Sequence, residues 1–266
     1  MAFTVGILHR PPRHPHAWIV GFVASQAAVA FIWWRHGAVI GLTALVASHL
    51  AFLWGTLWPT SRLFGPVLTR LPTQERVLWL TIDDGPSVET PAVLDLLDAH
   101  GAKATFFLVG DRALARPELV REIVRRGHGI GNHSASHPAA WFWALGPARM
   151  RDEIERAQAA ITGITGTPPR WFRSVVGMTN PFVASSLRRL GLARVAWSAR
   201  GFDGVAGSVD RVIARIAKGL QPGAIVLMHE GAPHGRNVEM LDAFLRLAGE
   251  RGYRCILPTF PGDGPG

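Results

Sequence analysis

Two long runs without a charged residue, at 17–34 and 38–58, constrain this chain more than any other feature. As α-helices they would measure about 27 and 31 Å at 1.5 Å per residue, close to the hydrocarbon thickness of a bilayer. Trp18, Trp34 and Trp58 lie at the ends of the runs, the level at which indole rings settle among lipid headgroups. The runs therefore predict two transmembrane helices within a membrane segment over residues 1–60.

Two other structures are compatible with these apolar runs. One is a pair of helices buried in the core of a soluble domain. The other is a cleaved signal peptide, favoured by the small residues around 24–30. A signal peptide would leave the second run unexplained.

Basic residues predict the orientation of this segment. Only residues 35–37 separate the two runs, so the helices would form a tight hairpin with both ends on one side. A single base, Arg35, lies in the turn, whereas five bases flank the outer ends: Arg10, Arg13, Arg62, Arg70 and Arg76. The positive-inside rule then predicts that the following domain is cytoplasmic, and we expect the membrane to be a bacterial inner membrane. If only one run spans the membrane, that domain faces the opposite side.

The net charge of +9 does not predict a nucleic-acid partner. Residues 1–74 hold five arginines and no acid, and the remaining bases form no cluster interleaved with aromatic residues. The chain is 48% hydrophobic and only 18% charged, which excludes intrinsic disorder. Its only cysteine, Cys255, excludes an intrachain disulfide.

After residue 74 the pattern alternates between short apolar runs and amphipathic stretches. The predicted strands are 77–82, 104–109, 128–133, 170–173, 193–198, 224–229 and 253–257. The predicted helices are 90–100, 117–126, 147–161, 181–190, 209–219 and 238–249. This alternation predicts an α/β domain with parallel strands, either a barrel or a doubly wound sheet. We assign residues 61–74 to a linker, 75–260 to the domain and 261–266 to a flexible tail.

Two carboxylates, Asp83 and Asp84, directly follow the first predicted strand. Side-chain alternation is expected to direct them differently, which suits one as a metal ligand and the other as a free base. The sequence Asp-Asp-Gly-Pro is equally typical of a solvated turn.

Two histidines, His133 and His137, follow the third predicted strand. On one helical turn this spacing brings two imidazoles together as a divalent metal requires, although two unrelated loop histidines remain possible. Asp84 is the candidate third ligand. Arg173, Asp203 and His229 also lie at or after strand ends, the edge at which parallel α/β barrels carry their active sites.

Three ordered motifs resemble the polysaccharide deacetylase family, which is carbohydrate esterase family four and includes chitooligosaccharide and peptidoglycan N-deacetylases. They are Thr-Ile-Asp-Asp-Gly-Pro at 81–86, His-Ser-Ala-Ser-His at 133–137 and Leu-Met-His at 227–229. The resemblance covers roughly residues 75–258. It implies a distorted (β/α) barrel of about seven parallel strands, here preceded by the membrane hairpin. It also implies a divalent metal, usually zinc, bound by Asp84, His133 and His137.

The same resemblance implies the catalytic roles. Asp83 matches the family's base and His229 its acid. Arg173 matches the arginine that holds the base, and Asp203 the aspartate that pairs with the acid. Trp197 matches a strand tryptophan that precedes this aspartate.

The chain departs from the family pattern in three places. Ile82 stands where phenylalanine is usual, Arg173-Ser-Val-Val-Gly lacks the prolines of the usual R-P-P-x-G motif, and 200–204 keeps only the second aspartate of D-x-x-D-W. The resemblance implies that the last two segments shape the substrate wall. We therefore expect intact metal chemistry and leave the sugar specificity open.

Together these features predict a membrane-anchored, metal-dependent hydrolase that removes an N-acyl group, most simply N-acetyl, from an amino sugar in a glycan of the bacterial cell envelope. One alternative is a deformylase or deacetylase of a lipid-linked sugar, which the hairpin favours. Another is a catalytically silent, membrane-anchored carbohydrate-binding protein. The presence of both Asp83 and His229 argues against the silent protein.

Overall fold

The computed structural model describes residues 3–4 and 9–259. The tail predicted at 261–266 lies outside the described residues. Within them the strands are β1 (Phe3–Thr4), β2 (Val77–Gly85), β3 (Ala104–Leu108), β4 (Gly129–Asn132), β5 (Trp171–Phe172), β6 (Ala193–Arg194), β7 (Ala199–Arg200), β8 (Ile225–His229), β9 (Arg254–Cys255) and β10 (Pro258–Thr259).

The described α-helices begin with two N-terminal helices and continue through the α/β region. They are α1 (Ala17–His36), α2 (Ala38–Leu57), α3 (Thr90–Ala99), α4 (Gly110–Ala115), α5 (Pro117–Arg125), α6 (Pro147–Thr165), α7 (Val183–Leu190), α8 (Val209–Gly219) and α9 (Asn237–Glu250). The sequence pattern missed α4, which lies directly after β3.

The main sheet is parallel, in the order β6-β5-β4-β3-β2-β8-β7, with β9 pairing the start of β2. This half-barrel of seven parallel strands confirms the predicted fold class. The single strand predicted at 193–198 is wrong. The chain instead forms β6 against β5 and then β7 against β8, so β6 and β7 are the two edges of the open sheet.

The alternation of β2 separates the two faces of the sheet. Leu78, Leu80 and Ile82 pack into the core beneath the outer helices. Trp79 faces the opposite side, in a second cluster inside the half-barrel with Phe107 and other residues. Asp83 follows Trp79 by four positions and so shares its inner face.

The helices α1 and α2 form a hairpin around Gly37. The Phe22 and Phe52 rings lie 5.1 Å apart, and Gln26 Nε2 donates to Ser48 Oγ at 3.1 Å. Only Gly37 separates the helices, because α1 extends through His36, so the predicted turn at 35–37 was too long.

Both helices are long and apolar enough to cross a membrane, although an N-terminal signal sequence has the same features. In the most apolar 18-residue stretch of each helix, only 6% and 11% of the residues are buried. This exposure contradicts the alternative of two buried core helices.

Residues 61–74 lie along the half-barrel. Leu68 forms an isolated parallel β-bridge with Val195, and the backbone N–H of Leu71 donates a hydrogen bond to the Gly223 carbonyl at 2.8 Å. Arg194 Nη2 donates to the Ser61 carbonyl at 2.5 Å. The segment thus connects the hairpin to the first strand of the sheet through specific contacts.

Candidate active site

The carboxyl end of β2 carries the two adjacent aspartates. Asp83 pairs in register with Phe107 and Gly85 with Leu108, so a bulge leaves Asp84 as the extra residue, with φ at 71°. Asp83 Oδ2 and Asp84 Oδ1 lie 3.7 and 3.5 Å from the same atom, His133 Nε2. The expectation that strand alternation separates them was therefore wrong, because the bulge turns Asp84 back toward Asp83.

The two histidines meet without a helix. Residues 133–137 form a loop in which Ser134 and His137 have φ values of 69° and 55°. The helical turn expected from the spacing is therefore wrong. The imidazoles are nevertheless neighbours, with ring centroids 5.1 Å apart.

His133 is held in a fixed orientation. Its Nδ1 lies 2.8 Å from the Arg173 carbonyl oxygen. Because that oxygen can only accept, Nδ1 carries a proton, which leaves Nε2, the nitrogen that faces Asp84, as the ring atom able to ligate a metal ion. A second nitrogen, His137 Nε2, lies 2.9 Å from Asp84 Oδ1.

These three residues fit a divalent metal ion. One ligand atom from each of Asp84, His133 and His137 lies within 4.8 Å of the others. Asp84 Oδ1 is buried, and although His137 Nε2 lies close to it, no donor among the described residues points at it in hydrogen-bonding geometry. Burial raises the pKa of Asp84, but the two imidazoles outweigh it and hold that pKa well below its usual range. Two imidazole nitrogens and one carboxylate oxygen form the kind of three-ligand set that leaves positions open in catalytic zinc sites.

Asp83 is fixed by a buried arginine that directly follows β5. Arg173 has no exposed surface, and its Nη1 donates to both Asp83 Oδ1 and Thr81 Oγ1 at 2.7 Å. The guanidinium lies 4.2 Å from the centroid of the Phe107 ring. Burial lowers the pKa of Arg173 and the Asp83 carboxylate opposes that shift. The second oxygen of Asp83 remains directed toward the site.

His229 pairs in register with Asp83 on the neighbouring strand β8. Its Nδ1 lies 3.0 Å from Asp203 Oδ1, and its backbone N–H donates to Asp203 Oδ2 at 2.6 Å. Burial lowers the pKa of His229, but Asp203 first and then Asp83 and Asp84 raise it, to about 9. This leaves the second ring nitrogen, Nε2, as a candidate proton donor.

The structure brings together all seven residues singled out from the sequence. Asp203 lies in the connection after β7 rather than after one long strand at 193–198. Trp197 lies between β6 and β7, with its ring 5.9 Å from the Arg173 guanidinium.

Glu153 is a supporting residue that the sequence reasoning missed. It accepts hydrogen bonds from the backbone N–H groups of Ala135 and Ser136 at 3.0 and 2.9 Å, and from Ser136 Oγ. These bonds fix the loop between the two histidines. A charged residue among the buried positions of α6, beside Met150 and Ile154, was the available signal.

Glu230 supports the opposite side of the site. Its Oε2 accepts from Ser87 Oγ at 2.7 Å and from Thr90 Oγ1 at 2.5 Å. Glu230 directly follows His229, so these bonds connect the end of β8 to the loop after the two aspartates and to the first residue of α3. Its place next to His229 was visible in the sequence, but its partners were not.

Comparisons with known proteins agree with this arrangement. The family model for polysaccharide deacetylase matches residues 70–195. A chitooligosaccharide deacetylase of Bradyrhizobium sp. (strain ANU 289) is 36% identical over 186 residues, 69% of this chain and 84% of that relative.

Solved structures with the same fold include both an enzyme and an inactive relative. A peptidoglycan N-acetylglucosamine deacetylase, Bc1960, superimposes with a TM-score of 0.65 at 30% identity, over 71% of this chain and 89% of that one. A CE4 family pseudoenzyme from Bacillus anthracis gives a TM-score of 0.65 at 28% identity, over 71% and 66% of the two chains. The fold alone therefore does not decide activity, which depends on the side chains at the site.

Proposed function

The chain belongs to the polysaccharide deacetylase family, hydrolases that act on N-acetyl amide bonds, and on that basis we propose that it is a membrane-anchored, metal-dependent deacetylase of amino sugars in glycans. One observation carries this proposal. A base candidate held by an arginine and an acid candidate held by an aspartate lie side by side on β2 and β8, next to a three-residue metal site.

Asp84, His133 and His137 would hold the metal, and zinc suits their nitrogen and oxygen atoms. When bound, a divalent ion there supplies Lewis-acid activation of water and of the acyl carbonyl. The bulge at Asp84 and the hydrogen bond between His133 Nδ1 and the Arg173 carbonyl fix the orientation of the ligand atoms without a bound ion.

The remaining residues move protons. Asp83 accepts a proton from the attacking water, whose oxygen forms a bond to the acyl carbon. Arg173 keeps the Asp83 carboxylate in place through the 2.7 Å bond to Oδ1. His229, charged because Asp203 faces its Nδ1, donates a proton to the nitrogen as the carbon–nitrogen bond breaks. The products are a carboxylic acid and a free amino sugar.

This function is tested with purified protein in detergent, by measuring acetate and new primary amines from N-acetylated chito-oligosaccharides and peptidoglycan fragments. We expect release by the wild-type chain and release about 10²–10⁴-fold slower by Asp83→Asn. A metal-loaded wild-type protein that leaves all these amides intact, while binding the glycans, would instead support the silent carbohydrate-binding protein.

A second candidate substrate is an N-acylated amino sugar on a lipid carrier, with a formyl or an acetyl group. Contacts between the hairpin and the connection after β5 favour it. The Thr179 backbone N–H donates to the Thr56 carbonyl at 2.9 Å, and the Trp18 and Phe182 rings pack edge to face at 5.9 Å. This connection begins at Arg173, so the hairpin packs against a loop that leaves the site.

Exposed apolar side chains around the site also favour a lipid-linked substrate. They lie on connections that leave the carboxyl ends of several strands: Val88, Trp141, Val176, Phe202 and Val205. Such patches are typical of surfaces that meet a membrane or a partner. Faster hydrolysis of a lipid-linked N-acyl sugar than of its delipidated form would favour this substrate, and equal rates would favour the glycan.

We further propose that α1 and α2 anchor the chain in a bacterial inner membrane with the catalytic domain, assigned to 75–260, on the cytoplasmic side. The exposure of the two helices and the arginines at their outer ends support this orientation. Resistance to extraction by alkaline carbonate would support anchoring.

A further inference from the structure

A basic cleft lies where the hairpin meets the α/β region. It has a volume of about 1340 Å³ and is formed by the segment that leads into α1, the segment that leaves α2 and one residue of α7. Four arginines line it: Arg10, Arg13, Arg62 and Arg188. No acidic side chain occurs among the described residues that line it.

Three of these guanidinium groups have no partner within the described part of the chain. The side chains of Arg13, Arg62 and Arg188 are exposed and make no hydrogen bond or ion pair there. Other exposed arginines, such as Arg121, Arg151 and Arg211, also lack such partners, but they lie outside the cleft, so the shared cleft is what distinguishes these three. Like charges gathered in one cleft repel, so an anion between them relieves a cost that no residue of the described chain offsets.

The position of Arg188 shows that these charges are not only an orientation signal. Arg13 and Arg62 flank the apolar helices and fit the positive-inside rule. Arg188 belongs to α7, far along the chain, and only the fold brings it to the same cleft. The walls also contain Trp18, whose indole ring suits the boundary between headgroups and acyl chains.

We propose that this cleft binds the phosphate headgroup of an anionic phospholipid, with Arg13, Arg62 and Arg188 as the phosphate ligands. Arginine donors match phosphate oxygens in geometry as well as in charge. The acyl chains would lie along the exposed apolar surface of α1 and α2. The inference rests on the membrane anchoring in the proposed function, and it is independent of the hydrolysis at the active site.

Native mass spectrometry of the full chain in detergent tests this proposal, with phosphatidylglycerol, phosphatidylcholine and inorganic phosphate as separate probes. We expect selective retention of phosphatidylglycerol. The triple variant Arg13→Gln, Arg62→Gln, Arg188→Gln should weaken it about a hundredfold, at roughly fivefold for each arginine lost. The matched control is Arg121→Gln, Arg151→Gln, Arg211→Gln, which removes three exposed arginines outside the cleft and should leave binding unchanged.

The outcomes separate the two proposals. Equal losses in both triple variants, or no preference over phosphatidylcholine, would overturn the lipid site. Saturation of the cleft by inorganic phosphate at the same affinity would assign it to a free phosphate instead. A thermal unfolding midpoint close to wild type shows that the cleft variant is folded. Extraction of the wild-type chain by carbonate would refute the anchoring itself.

Discussion

Arg173 and Asp83 form a fully buried ion pair, with Nη1 and Oδ1 2.7 Å apart and neither side chain more than 4% exposed. Arg173 also directs its own carbonyl to Nδ1 of His133. One residue therefore orients both the proposed base and one proposed metal ligand. This pairing explains why a charge is retained at the centre of an apolar half-barrel.

Arg173→Met should destabilise the protein strongly. Removing one partner of a buried ion pair leaves the other charge unpaired, at a cost of about 3–5 kcal/mol. Urea denaturation measures the free energy of unfolding. Adding Asp83→Asn to Arg173→Met should restore part of the lost free energy of unfolding. If the double variant instead loses the full sum of the two single losses, the two residues are not coupled.

Asp203→Asn should move the high-pH limb of the rate profile to lower pH. His229 must be protonated to donate, and its pKa is raised to about 9 mainly because Asp203 opposes the effect of burial. Activity is therefore present below that pKa and falls as the pH rises through it. Loss of Asp203 lowers the pKa, although Asp83 and Asp84 still face the ring. The dependence of kcat/KM on pH measures this, and an unmoved limb rejects the pairing.

His133→Ala should remove the bound divalent ion, because two remaining ligands compete poorly with water. Elemental analysis after gel filtration measures the metal content per chain. The matched control is His100→Ala, a surface histidine that pairs with Asp242 away from the site. Unchanged metal content in His133→Ala would reject the assignment of the ligand set.

A C-terminal reporter tests which side of the membrane the domain occupies. The arginines that flank the hairpin predict a cytoplasmic C terminus, so a reporter active only after export should stay silent. An active reporter would mean a single span or an inverted hairpin. A site outside the cytoplasm would then favour finished wall polymers over a lipid-linked precursor as substrate.

The sequence located the site better than it described the local backbone. The apolar run of β2 followed by Asp83 and Asp84, with polar residues after other strands, was enough to predict one shared edge. The bulge at Asp84 and the left-handed residues Ser134 and His137 were not predictable from residue spacing, because non-glycine residues rarely adopt such conformations.

The break between β6 and β7 escaped sequence reasoning for a different reason. Residues 193–198 contain no glycine, proline, asparagine or aspartate, so no turn signal in the sequence marks the break. What changes is the hydrogen-bonding partner, from β5 to β8, and the residue types carry no information about it. For the same reason the partners of Glu153 and Glu230 emerged only from the fold.

In the proposed mechanism Asp83 is the base and Asp84 is a metal ligand. Paired measurements of metal content and deacetylation in Asp83→Asn and Asp84→Asn test this assignment most directly. We predict that Asp83→Asn keeps the metal and loses about 10²–10⁴-fold in rate, the range for a general base, whereas Asp84→Asn loses the metal itself. Loss of metal in Asp83→Asn with retention in Asp84→Asn would contradict the account, because the two carboxylates would then have exchanged roles.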